Sequence, residues 1–331
     1  MVSNRGPLPR PARRAAALVA AALAASLGAA CQEQSPSTGA GGRLSVVAAV
    51  YPLGEAARRV GGDLVSVTEL TPAGAEPHDL ELTTRQVDRL EDADLVVYLG
   101  RGFQPAVEEV AGRTGNEVLD VLEGADVLAG EDDHGDEGEG DDDHEGEDDH
   151  GDEAVDPHLW LDPTRMAGIV ERVRDALIDA DADGDHADRY RRGADAYLGE
   201  LAQLDADFRA GLAQCQRRTI VTTHAAFGYL ARRYDLRQLP IAGLSPESEP
   251  DPRRVAQLVD RVRAEGHTTV FTETLVSPAV AETLAREAGV GTAVLDPLEG
   301  LSSDQRAAGG TYLSIMRENL EALRSALGCQ G

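Results

Sequence analysis

The chain has 331 residues, 42% of them hydrophobic, which is enough for about two domains with real cores. Its formal net charge is −28, from 59 acidic against 31 basic residues, and it contains no lysine. A surface this acidic repels a phosphate backbone and attracts cations, so nucleic acid is excluded as a partner.

Arg5, Arg10, Arg13 and Arg14 precede a run of small apolar residues that ends at Cys31. A basic stretch followed by a short apolar one reads as a secretory signal over 1–30. The run is short of the roughly 20 apolar residues that a membrane-spanning helix needs. Leu27-Gly28-Ala29-Ala30-Cys31 is similar to a bacterial lipobox, in which the cysteine is acylated. A lipid anchor on Cys31 and a flexible Ser/Gly/Pro tether over 31–43 are expected.

The apolar run Leu44–Val50 reads as a buried parallel strand, and Pro52 opens a helix that Gly61-Gly62 close. Strands follow at 64–70, 94–99 and 117–121, with helices at 83–92 and 103–111 between them. This alternation predicts a parallel α/β lobe over 44–185. The lobe is interrupted at 131–153 by a segment made only of Asp, Glu, His and Gly. With nothing apolar to bury, that segment is expected to be disordered and to gather metal weakly through His134, His144 and His150.

Beyond a helix at 163–178, the periodic stretch 186–213 predicts one helix about 40 Å long. It is read as a rigid backbone element, 186–214, leading into a second α/β lobe over 215–331. Strands are expected there at 219–223, 236–241, 269–272 and 292–295, and helices at 225–234, 252–264, 278–287 and 310–327. The predicted fold is therefore α/β, two parallel-sheet lobes joined by one long helix. Cys215 and Cys329, alone in an exported chain once Cys31 is lipidated, are expected to form a disulfide.

Three histidines, His78, His158 and His224, stand at or near junctions that follow strands, and Asp296 directly follows the last strand. Ligands of open α/β sheets bind beyond the carboxyl ends of strands. Three imidazoles and a carboxylate drawn from four such junctions suit tetrahedral Zn²⁺. Asp79 and Asp156 flank two of the histidines and are candidate acceptors for their second ring nitrogens. No metalloprotease, nucleophile-elbow, P-loop or dinucleotide pattern stands in a fitting context, so nothing points to an enzyme.

The segments AEPHDLELT, DPHLWLDP, HAAFGYL, EPDPRRV, VFTETLVSP and VLDPLEG occur in this order. Together, over about 44–328, they resemble the metal-receptor subunits of zinc- and manganese-uptake ABC transporters. The resemblance implies a non-enzymatic receptor with its metal in the cleft between the lobes. The protein would be lipid-anchored on the outer face of the cytoplasmic membrane and deliver its ion to a permease and ATPase. A monomer is expected. The resemblance maps the ligands onto His78, His158, His224 and Asp296, and three imidazoles favour Zn²⁺ over the harder Mn²⁺. Some zinc-type members carry a Glu just before the first His, where this chain has Pro77. That leaves Asp296, Glu76 or water as the fourth ligand, with Glu273 a weaker candidate. Rival readings are a manganese or iron receptor of the same fold, an extracellular zinc hydrolase, and a zinc-storing or adhesion lipoprotein.

Overall fold

The computed structural model describes residues 42–78, 80–130, 155–182, 184–247 and 250–330. Cys31, Asp79 and the acidic segment with His134, His144 and His150 lie outside them. Short apolar runs have become two four-stranded sheets in which every pairing is parallel. The first sheet, in the order β2-β1-β3-β4, is built from β1 (Leu44–Ala48), β2 (Val65–Glu69), β3 (Leu95–Tyr98) and β4 (Glu117–Asp120). The second, in the order β6-β5-β7-β8, is built from β5 (Thr219–Thr222), β6 (Arg237–Pro240), β7 (Thr269–Thr272) and β8 (Gly291–Val294). The expected two-lobed α/β fold is what the chain adopts.

Helices α1 (Tyr51–Gly61), α2 (Thr84–Glu91), α3 (Pro105–Ala111) and α4 (Pro163–Ala180) accompany the first sheet. The long helix α5 (Ala187–Leu212) follows. Then come α6 (Gly228–Arg233), α7 (Pro252–Ala264), α8 (Ala279–Ala288), α9 (Ser303–Ala307) and α10 (Tyr312–Leu327). Prolines occupy the first turn of α1, α3, α4 and α7, where the missing N–H costs nothing. Two details depart from the sequence reading. Helix α6 is shorter than the expected 225–234, because the His224 carbonyl accepts from Thr222 Oγ1 and Gln238 Nε2 rather than from a helical N–H. Helix α9 was not foreseen; a capping box between Ser302 and Gln305 starts it.

Tyr190, Ala194, Tyr197, Leu201, Leu204, Phe208 and Leu212 make one buried stripe along α5 in steps of three or four. That stripe belongs to a single core with Val46 and Leu95 of the first sheet and Ile220 and Phe271 of the second. Each such apolar side chain contributes about 1.5–3 kcal/mol on burial. Smaller cores fill the outer faces, one under α2 and α3 and one under α7 and α8. A disulfide joins Cys215, just after α5, to Cys329, just after α10. Among the described residues no helix is long and apolar enough to cross a membrane.

Helix α5 crosses α1 closely at Gly193. A Cβ there would stand 2.3 Å from the Val60 carbonyl oxygen and 3.0 Å from that of Arg59. In an open helix Gly→Ala gains about 1 kcal/mol, but overpacking costs about 1–3 kcal/mol. Gly193→Ala is therefore expected to lower the denaturation midpoint in urea, and a raised midpoint would show the crossing to be looser than described.

Candidate metal centre

The carboxyl ends of the strands of both sheets meet across one crevice. His78 lies in the turn that follows β2, its N–H donating to Glu76 Oε2 at 3.0 Å. His158 precedes the single helical turn Leu159–Leu161 that leads into α4. His224 stands two residues beyond β5, and Glu299 lies on the loop after β8. The Nε2 atoms of His78, His158 and His224 come within 3.2, 3.0 and 3.2 Å of the same oxygen, Glu299 Oε1. All four donor atoms lie within 4.8 Å of one another. Donors about 2.0–2.1 Å from a tetrahedral Zn²⁺ are spaced about 3.3 Å apart. The three imidazole–oxygen distances already lie near that spacing, and the imidazole nitrogens close in on one another when an ion is held.

His158 and His224 are fully buried, and Glu299 is 1% exposed. His78 is the solvent-side member, its side chain 10% exposed beside a cavity of about 240 Å³ lined by Phe103, Pro157, Leu244 and Ser245. Phe103 packs edge-on against the His78 ring, and Trp160 against that of His158. The outer nitrogens of the two deep histidines are also held. His158 Nδ1 donates to Asp156 Oδ1 at 2.7 Å, and His224 Nδ1 lies 2.8 Å from both carboxylate oxygens of Glu273. These bonds fix ring orientation and aim both Nε2 atoms at one point.

Charge on these groups follows from their partners. Burial works against a proton on His224, but Glu273 and Glu299 outweigh it and push its pKa up to about 10. Burial also opposes charge on His158, and Asp156 and Glu299 again raise it. His78 is lowered by burial, which outweighs the opposing pull of Glu299, with His158 and His224 adding to the fall. Glu299 is held well below the usual carboxylate range, burial notwithstanding, by His224, His158 and His78. Glu299 Oε1 is placed to accept from ring N–H groups of the three imidazoles; a cation bound at the same point takes the place of those protons.

The three sequence-predicted histidines thus converge. Asp296 does not join them: its Oδ2 accepts from Thr274 Oγ1 at 2.9 Å and Gln305 Nε2 at 2.6 Å, and its Oδ1 from the Leu298 N–H at 2.7 Å. The carboxylate at the cluster is Glu299, three residues further along in the same Asp296-Pro297-Leu298-Glu299 stretch. Leu298 turns this corner with φ 58°, a left-handed conformation costing a side-chain-bearing residue about 1–2 kcal/mol. Glu76 Oε1 is 3.8 Å from His78 Nε2, outside the four-atom group. Glu273, weighed as a weak ligand, supports His224 instead, and Asp156 stands where an acceptor for the second nitrogen of His158 was expected. His186 and His267 pair elsewhere, with Asp181 and Glu265.

Residues 46–326 match the family model described as the periplasmic component A of the zinc-uptake complex. The zinc-binding protein AdcA of Streptococcus pyogenes serotype M6 is 37% identical over 289 residues, covering 86% of this chain and 56% of the relative. The high-affinity zinc uptake system protein ZnuA of Bacillus subtilis strain 168 is 35% identical, covering 87% and 88%. The crystal structure of Zn(II)-bound AdcA from Streptococcus pneumoniae superposes with a TM-score of 0.72 at 34% identity, over 88% of this chain and 59% of that one. The chain thus spans little more than half the length of the AdcA relatives it matches, and most of the length of ZnuA. It belongs to the ZnuA family, the periplasmic component A of zinc-uptake complexes.

Proposed function

We propose that this protein captures Zn²⁺ outside the cytoplasm and delivers it to the permease and ATPase of an ABC-type importer. The ligands are His78, His158, His224 and Glu299. The observation that carries this reading is the convergence of three imidazole Nε2 atoms on one carboxylate oxygen in the crevice between the sheets. Three nitrogen donors and one oxygen suit Zn²⁺ and leave Mn²⁺, which prefers oxygen-rich six-coordination, poorly served. Four protein ligands also fill a tetrahedral shell, whereas a catalytic zinc keeps a position open for water. A binding role is therefore favoured over a hydrolytic one. Cys31 would anchor the chain by lipid on the outer face of the cytoplasmic membrane, and residues 131–153 would act as an accessory gathering segment, dispensable for the tight site.

Metal analysis of purified protein with and without residues 131–153 tests this. One tightly held zinc per chain is expected in both forms; loss of that zinc with the segment would move the site there. Binding also depends on pH in a definite direction. His224 is protonated at neutral pH when metal-free, since its pKa is raised to about 10. Zinc must displace that proton, so affinity rises with pH and falls as the medium is acidified. Each proton released makes the association constant rise about tenfold per pH unit. Titration calorimetry between pH 6 and 8, in buffers of different ionisation enthalpy, should detect at least one released proton. A pH-independent affinity would contradict the protonated site.

A further inference from the structure

The loop that carries Glu299 is held by a set of buried polar groups that do not touch the metal point. Asn319 of α10 is 2% exposed and grips the peptide of Asp296 from both sides. Its Oδ1 accepts from the Asp296 N–H at 2.8 Å, and its Nδ2 donates to the Asp296 carbonyl at 2.7 Å. The Asp296 side chain then ties three further places together. It accepts from Thr274, the residue after Glu273, from the N–H of Leu298 at the left-handed corner, and from Gln305 of α9. Trp160, two residues from His158, donates its indole N–H to the Pro297 carbonyl at 2.8 Å. Two of the three peptides between Asp296 and Glu299 are thereby engaged, the Asp296 carbonyl by Asn319, the Pro297 carbonyl by Trp160 and the Leu298 N–H by the Asp296 side chain.

We propose that Asp296 and Asn319 are positioning residues that hold Glu299 to a single-oxygen approach and so restrict the site to four-coordinate ions. The proposal rests on the ligand set given above. A carboxylate on a loose loop can swing to bind through both oxygens or admit water, and either raises the coordination number towards what Mn²⁺ prefers. With Asp296, Pro297 and Leu298 pinned just before it, Glu299 has less room for that swing. The Thr274–Asp296 bond adds a second constraint. It links the loop of Glu299 to the end of β7, where Glu273 orients His224, so one buried carboxylate aligns the supports of two ligands. Groups that orient ligands in this way are worth about 10–100-fold in metal affinity.

The test compares the full-length wild type with Asn319→Leu, which has a similar volume and removes both bonds to the Asp296 peptide. Thr274→Val serves as a milder variant that leaves Asn319 in place. Affinities for Zn²⁺ and Mn²⁺ are measured by competition, and the visible ligand-field band of bound Co²⁺ reports coordination number. The wild type should show the intense band of tetrahedral Co²⁺. Asn319→Leu should lose about 10–100-fold in zinc affinity with much less change for Mn²⁺, so that the Zn²⁺:Mn²⁺ ratio narrows and the cobalt band weakens. Thr274→Val should move both readouts the same way by a smaller factor. A purely structural role would lower the melting temperature but leave the metal ratio and cobalt band unchanged in either variant, and that result overturns the proposal. If Asn319→Leu does not fold, Thr274→Val decides by the same criteria. A wild type that binds zinc but lacks the tetrahedral cobalt band would instead remove the ligand set itself, and the proposal with it.

Discussion

His158→Ala and Glu299→Ala should each weaken zinc binding by about 10²–10³-fold. Structural zinc sites bind with apparent free energies of about 10–16 kcal/mol. Shared over four ligands, that is about 2.5–4 kcal/mol each, or roughly two to three decades in affinity. His158 is the more informative of the two because it is fully buried and its loss leaves Asp156 without its imidazole partner. Glu299→Ala separates the two carboxylates of the same loop: it removes the oxygen on which all three Nε2 atoms converge, and leaves Asp296 bonded to Thr274, Gln305 and the Leu298 N–H. Chelator competition would measure both. Retention of affinity within about threefold in either variant would mean that the residue is not a ligand.

Breaking the disulfide should cost more stability than any single substitution discussed above. Cys215 and Cys329 close a loop with a sequence separation of 114. On the chain-entropy account, a crosslink over about 100 residues restrains the unfolded chain by roughly 4–5 kcal/mol. The bond also lies in a short ladder, with Arg217 N–H donating to the Leu327 carbonyl and Gln330 N–H to that of Gln214. A Cys215→Ser/Cys329→Ser protein should melt about 8–20 °C lower, taking the about 2–4 °C per kcal/mol that holds for chains of about 150–250 residues. Reduction of the wild type should give the same shift. The metal ligand His224 follows the carboxyl end of β5, whereas Cys215 precedes that strand, so zinc affinity of the folded protein should change little. An unchanged melting temperature on reduction would show that the crosslink restrains nothing.

The fold was legible because its signals are local. Runs such as Leu44–Val50 and Asp94–Leu99 have the length and apolarity of buried parallel strands, and all eight expected strands occur. The stripe on α5 is a period that can be counted in the sequence. His78, His158 and His224 could be singled out because each stands by a junction, where parallel sheets place ligands. The identity of the nearby carboxylate was not legible. In LDPLEG, Asp296 directly follows the strand and Glu299 comes three residues later, and nothing in the spacing ranks them. The choice is made by Asn319, 23 residues away, by Gln305, and by the left-handed backbone of Leu298. A γ-branched leucine gives no sequence sign of positive φ, as a glycine would have. Glu273 was undervalued for a similar reason. Its partner His224 is 49 residues distant, and only the packing of β5 beside β7 brings the two together.

X-ray absorption at the zinc edge, on full-length protein loaded with half an equivalent of zinc, tests the shared site most directly. At that loading only the tightest site fills. The expected spectrum has four nitrogen or oxygen donors at about 2.0–2.1 Å with the scattering of three imidazoles, falling to two in His158→Ala. A shell of oxygens alone, a sulfur ligand, or an imidazole count unchanged by His158→Ala would contradict a zinc site made by His78, His158, His224 and Glu299.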